Sequence, residues 1–207
     1  METQLFKLGL GGVIKDGAPL AFLDRTELLP LEEPLRRVDA LIRERAALGV
    51  TGYGWIGLPY RNIERVREAA EKIAGFDSIV QIGIGGSALG NLMLNNAFLH
   101  PYHNELTREE RNAPRFYMAD NPDPDCLASI CDCIDPERTA FIVASKSGST
   151  AETIALFLWF FNALSEKVGR EEALHRFAFI TDPDKGVLRS LSSGGALAAL
   201  DVPQDVG

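Results

Sequence analysis

Two short stretches carry residue types able to seat an anion. The first is Gly83-Ile84-Gly85-Gly86-Ser87-Ala88-Leu89-Gly90, which follows the apolar run Ile79-Val80-Gln81-Ile82. Such a run suits a central strand buried on both faces, and the glycines permit a tight turn whose N–H groups point outward. The second is Ser145-Lys146-Ser147-Gly148-Ser149-Thr150, which follows Ala140-Phe141-Ile142-Val143-Ala144 and opens a helical pattern. Two strand-to-helix turns, one rich in glycine and one in hydroxyls with a lysine, can hold one phosphate between helix N-termini.

Each stretch admits another reading. Gly83-Ile84-Gly85-Gly86-Ser87-Ala88 satisfies G-x-G-x-x-A, the dinucleotide fingerprint, and the next strand ends in Asp120, an acid of the kind that takes a ribose hydroxyl. Asp120 stands farther along than the usual spacing of about twenty residues, and dinucleotide binding leaves the second stretch without a task. A purely structural glycine turn also fits. In the second stretch, Ser149-Thr150-Ala151-Glu152 has the S-x-x-E form of a capping box, which satisfies helix-end N–H groups with no ligand. Capping needs one hydroxyl, however, and four stand within six residues beside Lys146. The surplus favours a ligand whose oxygens accept several charge-assisted hydrogen bonds.

The elements that must position these turns alternate along the chain. Strands are predicted at 79–82, 115–120, 140–144, 177–181 and 196–200, with helices between them. That pattern predicts an α/β fold, a three-layer α/β/α sandwich with an open parallel sheet of about five strands in flavodoxin-type order. Such orders leave a crevice at the carboxyl ends of the strands where direction reverses, and both turns flank it if strands 79–82 and 140–144 are neighbours. The helix after the second turn shows Ile154, Phe157, Leu158, Phe161 and Leu164 on one apolar face.

Upstream, residues 5–23 read as a hairpin. A helix opens with Glu32-Glu33-Pro34, which supply acidic residues and an early proline, with Leu35, Val38, Leu41, Ile42 and Leu48 on a packing face and Gly49 as its stop. Residues 1–50 are thus expected to pack on a main domain at 51–207. Within that domain, 51–60 reads as an irregular glycine- and aromatic-rich connector and 61–74 as a charged helix. The tail at 201–207 is loop-like with no closing helix, which predicts a chain cut from something longer.

Composition narrows the partners. A chain of 207 residues, 46% hydrophobic, can bury a sizeable core, while a net charge of −8 argues against an extended nucleic-acid or anionic-membrane surface. No apolar run reaches the length of a membrane span and no leader precedes the first elements, so a cytoplasmic location is expected. Cys126, Cys131 and Cys133 lack the paired C-x-x-C of common zinc sites, and an odd clustered set is a poor disulfide framework. They read as reduced thiols on a short helix, with no metal. His100, His103 and His175 have no converging partner in the pattern and receive no catalytic role.

Together, and in this order, residues 83–90 and 145–153 resemble the sugar isomerase (SIS) domain, and more closely the N-terminal part of the glucose-6-phosphate isomerase family. The similarity continues through Ile180-Thr181-Asp182-Pro183-Asp184-Lys185-Gly186 to Asp205-Val206-Gly207. The resemblance implies that Ser87, Ser145, Ser147 and Thr150 hold a sugar phosphate, with Gly86, Lys146, Gly148 and Ser149 shaping the loops. It also implies interconversion of glucose 6-phosphate and fructose 6-phosphate, a step of glycolysis and gluconeogenesis, by a homodimer without cofactors. The family's arginine, base carboxylate and ring-opening histidine are expected after Gly207, so no catalytic residue is assigned within the chain. Glu152 reads as a cap or support. A SIS module that senses a phosphosugar without catalysis is the alternative.

Overall fold

A computed structural model describes residues 25–206, and the hairpin expected over 5–23 lies outside the described residues. The chain divides into two compact units between Pro59 and Tyr60.

In the first unit, α1 spans Arg25–Ala47 and contains Pro30 and Pro34. The expected start at Glu32-Glu33-Pro34 is therefore too late. A proline inside a helix removes a donor, which is why a sequence reading places it at the first turn. Ion pairs one turn apart run along the helix, Arg36 to Glu32 at 2.7 Å, Arg37 to Glu33 at 2.9 Å and Arg43 to Asp39 at 2.8 Å. Each such pair supports an exposed helix by a few tenths of a kcal/mol. Leu35, Val38 and Leu41, read as a packing face, are exposed. The connector is more regular than expected, with a 3-10 helix at Gly54–Tyr60, and Tyr53 lies under the Arg45 guanidinium and accepts its hydrogen bond at 3.0 Å.

The second unit is built on five parallel strands: β1 (Ser78–Ile82), β2 (Arg115–Ala119), β3 (Thr139–Ser145), β4 (Phe177–Thr181) and β5 (Ala198–Asp201), in the order β2-β1-β3-β4-β5. α2 (Glu64–Ala74) leads into β1, and the crossovers that parallel neighbours require are α3 (Gly86–Phe98), α4 (Arg108–Arg111), α5 (Pro124–Cys133), α6 (Ala151–Val168), α7 (Arg170–Leu174) and α8 (Val187–Ser192). One face of the sheet carries the main core, where Val80, Ile82, Phe141, Val143, Phe177 and Phe179 meet Leu127 and Ile130 of α5, the α6 stripe and Leu188 of α8. The opposite face is thinner, with Ile73 of α2 over Ala140 and Ala178.

The buried stripe of α6 is Thr153, Leu156, Phe157, Phe160, Phe161 and Leu164, while Leu158 stays 45% exposed. Phe157, Phe161 and Leu164 of the expected face are in this stripe and Ile154 and Leu158 are not, because residues 156–161 are apolar all round and periodicity alone does not choose between neighbouring faces.

Strand β2 lies at an edge, and an edge presents unpaired N–H and C=O groups. Asn104 answers two of them: its side-chain amide donates to the Phe116 carbonyl at 2.8 Å and accepts from the Phe116 N–H at 2.8 Å. Removing both bonds with Asn104→Ala is expected to cost about 1–3 kcal/mol, read as a shift in urea midpoint, since each net hydrogen bond contributes about 0.5–1.5 kcal/mol.

Candidate functional site

Strands β1 and β3 are neighbours in register from Ser78 opposite Thr139 to Ile82 opposite Val143, so both turns leave the sheet at the same edge. Strand order reverses here, with β2 on one side of β1 and β3 to β5 on the other. Gly83 sits between the two turns. A Cβ placed on it would lie 2.9 Å from the Ala144 carbonyl oxygen on β3 and 3.0 Å from the Ser87 Cβ. Ser87 is thus brought beside the end of the strand that carries the hydroxyl stretch. Its carbonyl accepts from the side-chain amide of Gln81 at 3.0 Å, and Gln81, in the middle of β1, is only 2% exposed. Gln81 was not singled out from sequence. The signal was present, since a glutamine within a strand buried on both faces must have a hydrogen-bond partner.

The hydroxyl stretch folds into a compact cluster. Thr150 Oγ1 lies 2.9 Å from Ser145 Oγ and 3.5 Å from Ser147 Oγ, and the Ser149 N–H donates to Ser147 Oγ at 3.2 Å. Ser145 and Gly148 are buried, Thr150 is half-buried, and Lys146, Ser147 and Ser149 are exposed. The capping box does not form. Thr150 rather than Ser149 occupies the N-cap position, which puts the exposed Glu152 at the second helical residue instead of the third, and no side chain caps α6. No side chain caps α3 either, and Gly86 and Ser87 are its first two residues. Two uncapped helices, of 13 and 18 residues, therefore point their positive ends at one sheet edge.

The remaining candidates take ordinary places. His103 is buried and its Nε2 donates to the Pro114 carbonyl at 2.9 Å, while the exposed His100 accepts from the Tyr102 N–H at 3.1 Å. Cys126 and Cys133 are exposed and Cys131 is half-buried on α5. Among the described residues no three or more His, Cys, Asp or Glu converge as a metal set. Asp120, the acid a dinucleotide ribose would need, is exposed just past β2. Hydroxyls, backbone N–H groups and one lysine on a helix-flanked edge can hold a phosphate but cannot by themselves shuttle a proton between carbons.

Residues 63–186, more than half of the chain, match the phosphoglucose isomerase family. The chain belongs to that family. Within it, the chain is 40% identical over 170 residues to the glucose-6-phosphate isomerase of Carboxydothermus hydrogenoformans and 41% identical over 172 residues to that of Rubrobacter xylanophilus. Both alignments take in 80% of this chain but only 36% and 39% of the relatives, so the chain spans under two fifths of their length. Among solved structures, a hypothetical protein of Thermus thermophilus superposes with a TM-score of 0.66 at 33% identity, covering 88% of this chain and 43% of that one. A glucose-6-phosphate isomerase from Chlamydia trachomatis gives 0.55 at 26% identity, covering 70% and 26%. The phosphoglucose isomerase match includes both turns and the stretch from Thr181 to Gly186.

Four carboxyls among the described residues titrate below their ordinary range, one of them Asp39, lowered first by its hydrogen bond with Arg43. Asp182 is lowered first by the hydrogen bond it accepts from the Asp184 N–H, Glu110 by that from the Thr107 N–H, and Glu172 by its hydrogen bond with Arg176. A depressed folded pKa contributes stability that is present above the unfolded pKa and lost as pH falls through the folded one. Tm is therefore expected to hold through neutral pH as far as these groups are concerned, then to fall below about pH 4, the ordinary carboxylate range. Thermal melts across pH check this, with a shallower acid fall for Glu110→Gln.

Proposed function

We propose that the two turns form the phosphate seat of an aldose-ketose isomerase acting on glucose 6-phosphate and fructose 6-phosphate. Ser87, Ser145, Ser147 and Thr150 donate to the phosphate oxygens, and Gly86, Lys146, Gly148 and Ser149 shape and charge the loops. The observation that carries this reading is the Thr150 hydroxyl, which faces Ser145 and Ser147 and leaves its own helix uncapped. A loop built only to start a helix would use that hydroxyl as a cap. The choice of sugar rests on the relatives, which are glucose-6-phosphate isomerases.

Isomerisation moves a proton between adjacent carbons through an enediol, which requires a base, a ring-opening acid and positive charge near the developing oxyanion. Gripping the far phosphate supplies binding energy that holds the reacting carbons in place. This unit provides the grip, and the groups that move protons belong to parts of the family's longer chains outside these residues. In the whole enzyme we place the unit in a cytoplasmic homodimer. Among the described residues no helix is long and apolar enough to cross a membrane.

Calorimetric titration tests the reading. Fructose 6-phosphate is expected to bind, fructose and NAD are not, and the chain alone is expected to show no isomerase turnover. Thr150→Val keeps the side-chain shape and removes one bond to a charged ligand, worth about 1.5–3 kcal/mol, so affinity should fall about 10- to 150-fold. Wild-type affinity in Thr150→Val would remove the main support for the proposal.

A further inference from the structure

We infer that the turn at 182–186 is the positioning element of the hydroxyl loop, with Asp182 and Gly186 as the residues that decide where Ser147 and Gly148 stand. The inference rests on the phosphate-seat reading and extends it to residues that touch no ligand.

Backbone bonds fasten the loop to this turn on both sides. The Asp182 N–H donates to the Lys146 carbonyl at 3.1 Å, and the Leu188 N–H donates to the Gly148 carbonyl at 3.1 Å. Between those bonds, two glycines meet backbone to backbone. A Cβ on Gly186 would strike the Ser147 carbonyl oxygen and lie 2.8 Å from the Gly148 Cα, and a Cβ on Gly148 would lie 2.6 Å from Thr181 Oγ1. Both adopt left-handed backbone, with φ of +90° and +64°, so neither position tolerates a side chain and the contact has no slack. Any displacement of Gly186 is passed directly to the peptide that carries Ser147.

The turn is held from within by one carboxylate. Asp182 Oδ1 accepts from the N–H groups of Asp184 at 2.8 Å and Lys185 at 3.0 Å. Without that oxygen both donors lose their partner, and the short segment leading to Gly186 is free to relax. The outer side of the turn is fixed too: Gln204 donates to Asp184 Oδ2 at 2.9 Å, and the Val202 N–H donates to the Thr181 carbonyl at 2.8 Å. One turn therefore spaces the hydroxyl loop from the segment that leaves β5.

The test titrates fructose 6-phosphate into the 207-residue chain and its variants, with melts run in parallel. Asp182→Ala is expected to weaken binding at least about tenfold, and Asp182→Asn, whose amide oxygen still accepts, to recover affinity to within about threefold of wild type. Asn104→Ala, destabilised at the distant β2 edge, serves as the control and should bind as wild type. Gly186→Ala, which leaves the Asp182 bonds in place, should weaken binding as Asp182→Ala does and decides the matter if the latter does not fold. Wild-type affinity in the folded Asp182→Ala or Gly186→Ala variant overturns this inference alone, as does an equal loss in Asn104→Ala, which would reduce the effect to stability. Failure of the wild-type chain to bind overturns the phosphate-seat reading and this inference with it.

Discussion

Phe177→Ala is expected to remove about 3–5 kcal/mol of stability, a large part of the about 5–15 kcal/mol typical of a whole domain. Phe177 opens β4 at 0% exposure and is the ring through which the others are joined. It stacks on Phe141 of β3 with centroids 4.7 Å apart, meets Phe157 edge-on at 5.1 Å and Phe161 at 5.9 Å, and lies 6.4 Å from Phe179. Those partners sit on two paired strands and on α6, whose backbones are hydrogen-bonded in place, so the hole left by the ring cannot close by a local shift. Incomplete collapse is what puts large-to-small changes at the upper end of their range. Urea unfolding measures the loss, and a value under about 1.5 kcal/mol would mean that the helix settles onto the sheet after all. Because β3 and β4 carry the hydroxyl loop and the 182–186 turn, the same variant should still bind phosphosugar while it remains folded. Its defect lies in how often the seat exists and leaves the shape of the seat intact.

What was legible in the sequence follows from what a run of residues can encode locally. Ile79 to Ile82 and Ala140 to Ala144 announce buried strands by composition, the glycines and serines after them announce turns, and alternation with helices leads to the parallel sheet and its reversal beside β1. Features that depend on how the backbone folds back on itself are hidden. Gln81 reads as an interruption in an apolar run until the Ser87 carbonyl is seen to take its hydrogen bond. Gly186 carries no local sign of its role until Ser147 and Gly148 are found against it. The face of α6 is legible at Phe157, Phe161 and Leu164 but not at Ile154 and Leu158, because Leu156 to Phe161 offers apolar side chains on every side and only contact with β3 and β4 selects among them. The capping box is one local pattern displaced by another, as Thr150 turns its hydroxyl toward Ser145 and Ser147 within the same loop.

Gly83→Ala is expected to weaken fructose 6-phosphate binding by about 100-fold or more while the sheet survives. The added methyl would lie 2.9 Å from the Ala144 carbonyl oxygen, 3.0 Å from the Ser87 Cβ and 3.1 Å from the Ser87 carbonyl oxygen. Ala144 belongs to β3, which pairs with both β1 and β4, so it holds its place and the Ser87 turn must give way. Overpacking of this kind costs about 1–3 kcal/mol of stability, and the displacement acts on Ser87 and on the open start of α3 together. The loss is therefore larger than that of a single hydroxyl, because one methyl separates the two halves of the seat. Gly90→Ala sharpens the comparison: a Cβ there meets nothing within 4 Å, and alanine favours the helix by up to about 1 kcal/mol, so stability should rise and affinity stay put. If Gly83→Ala lowers Tm yet binds as tightly as wild type, Gly83 serves only strand packing, and the contact between β3 and Ser87 has no part in holding the phosphate.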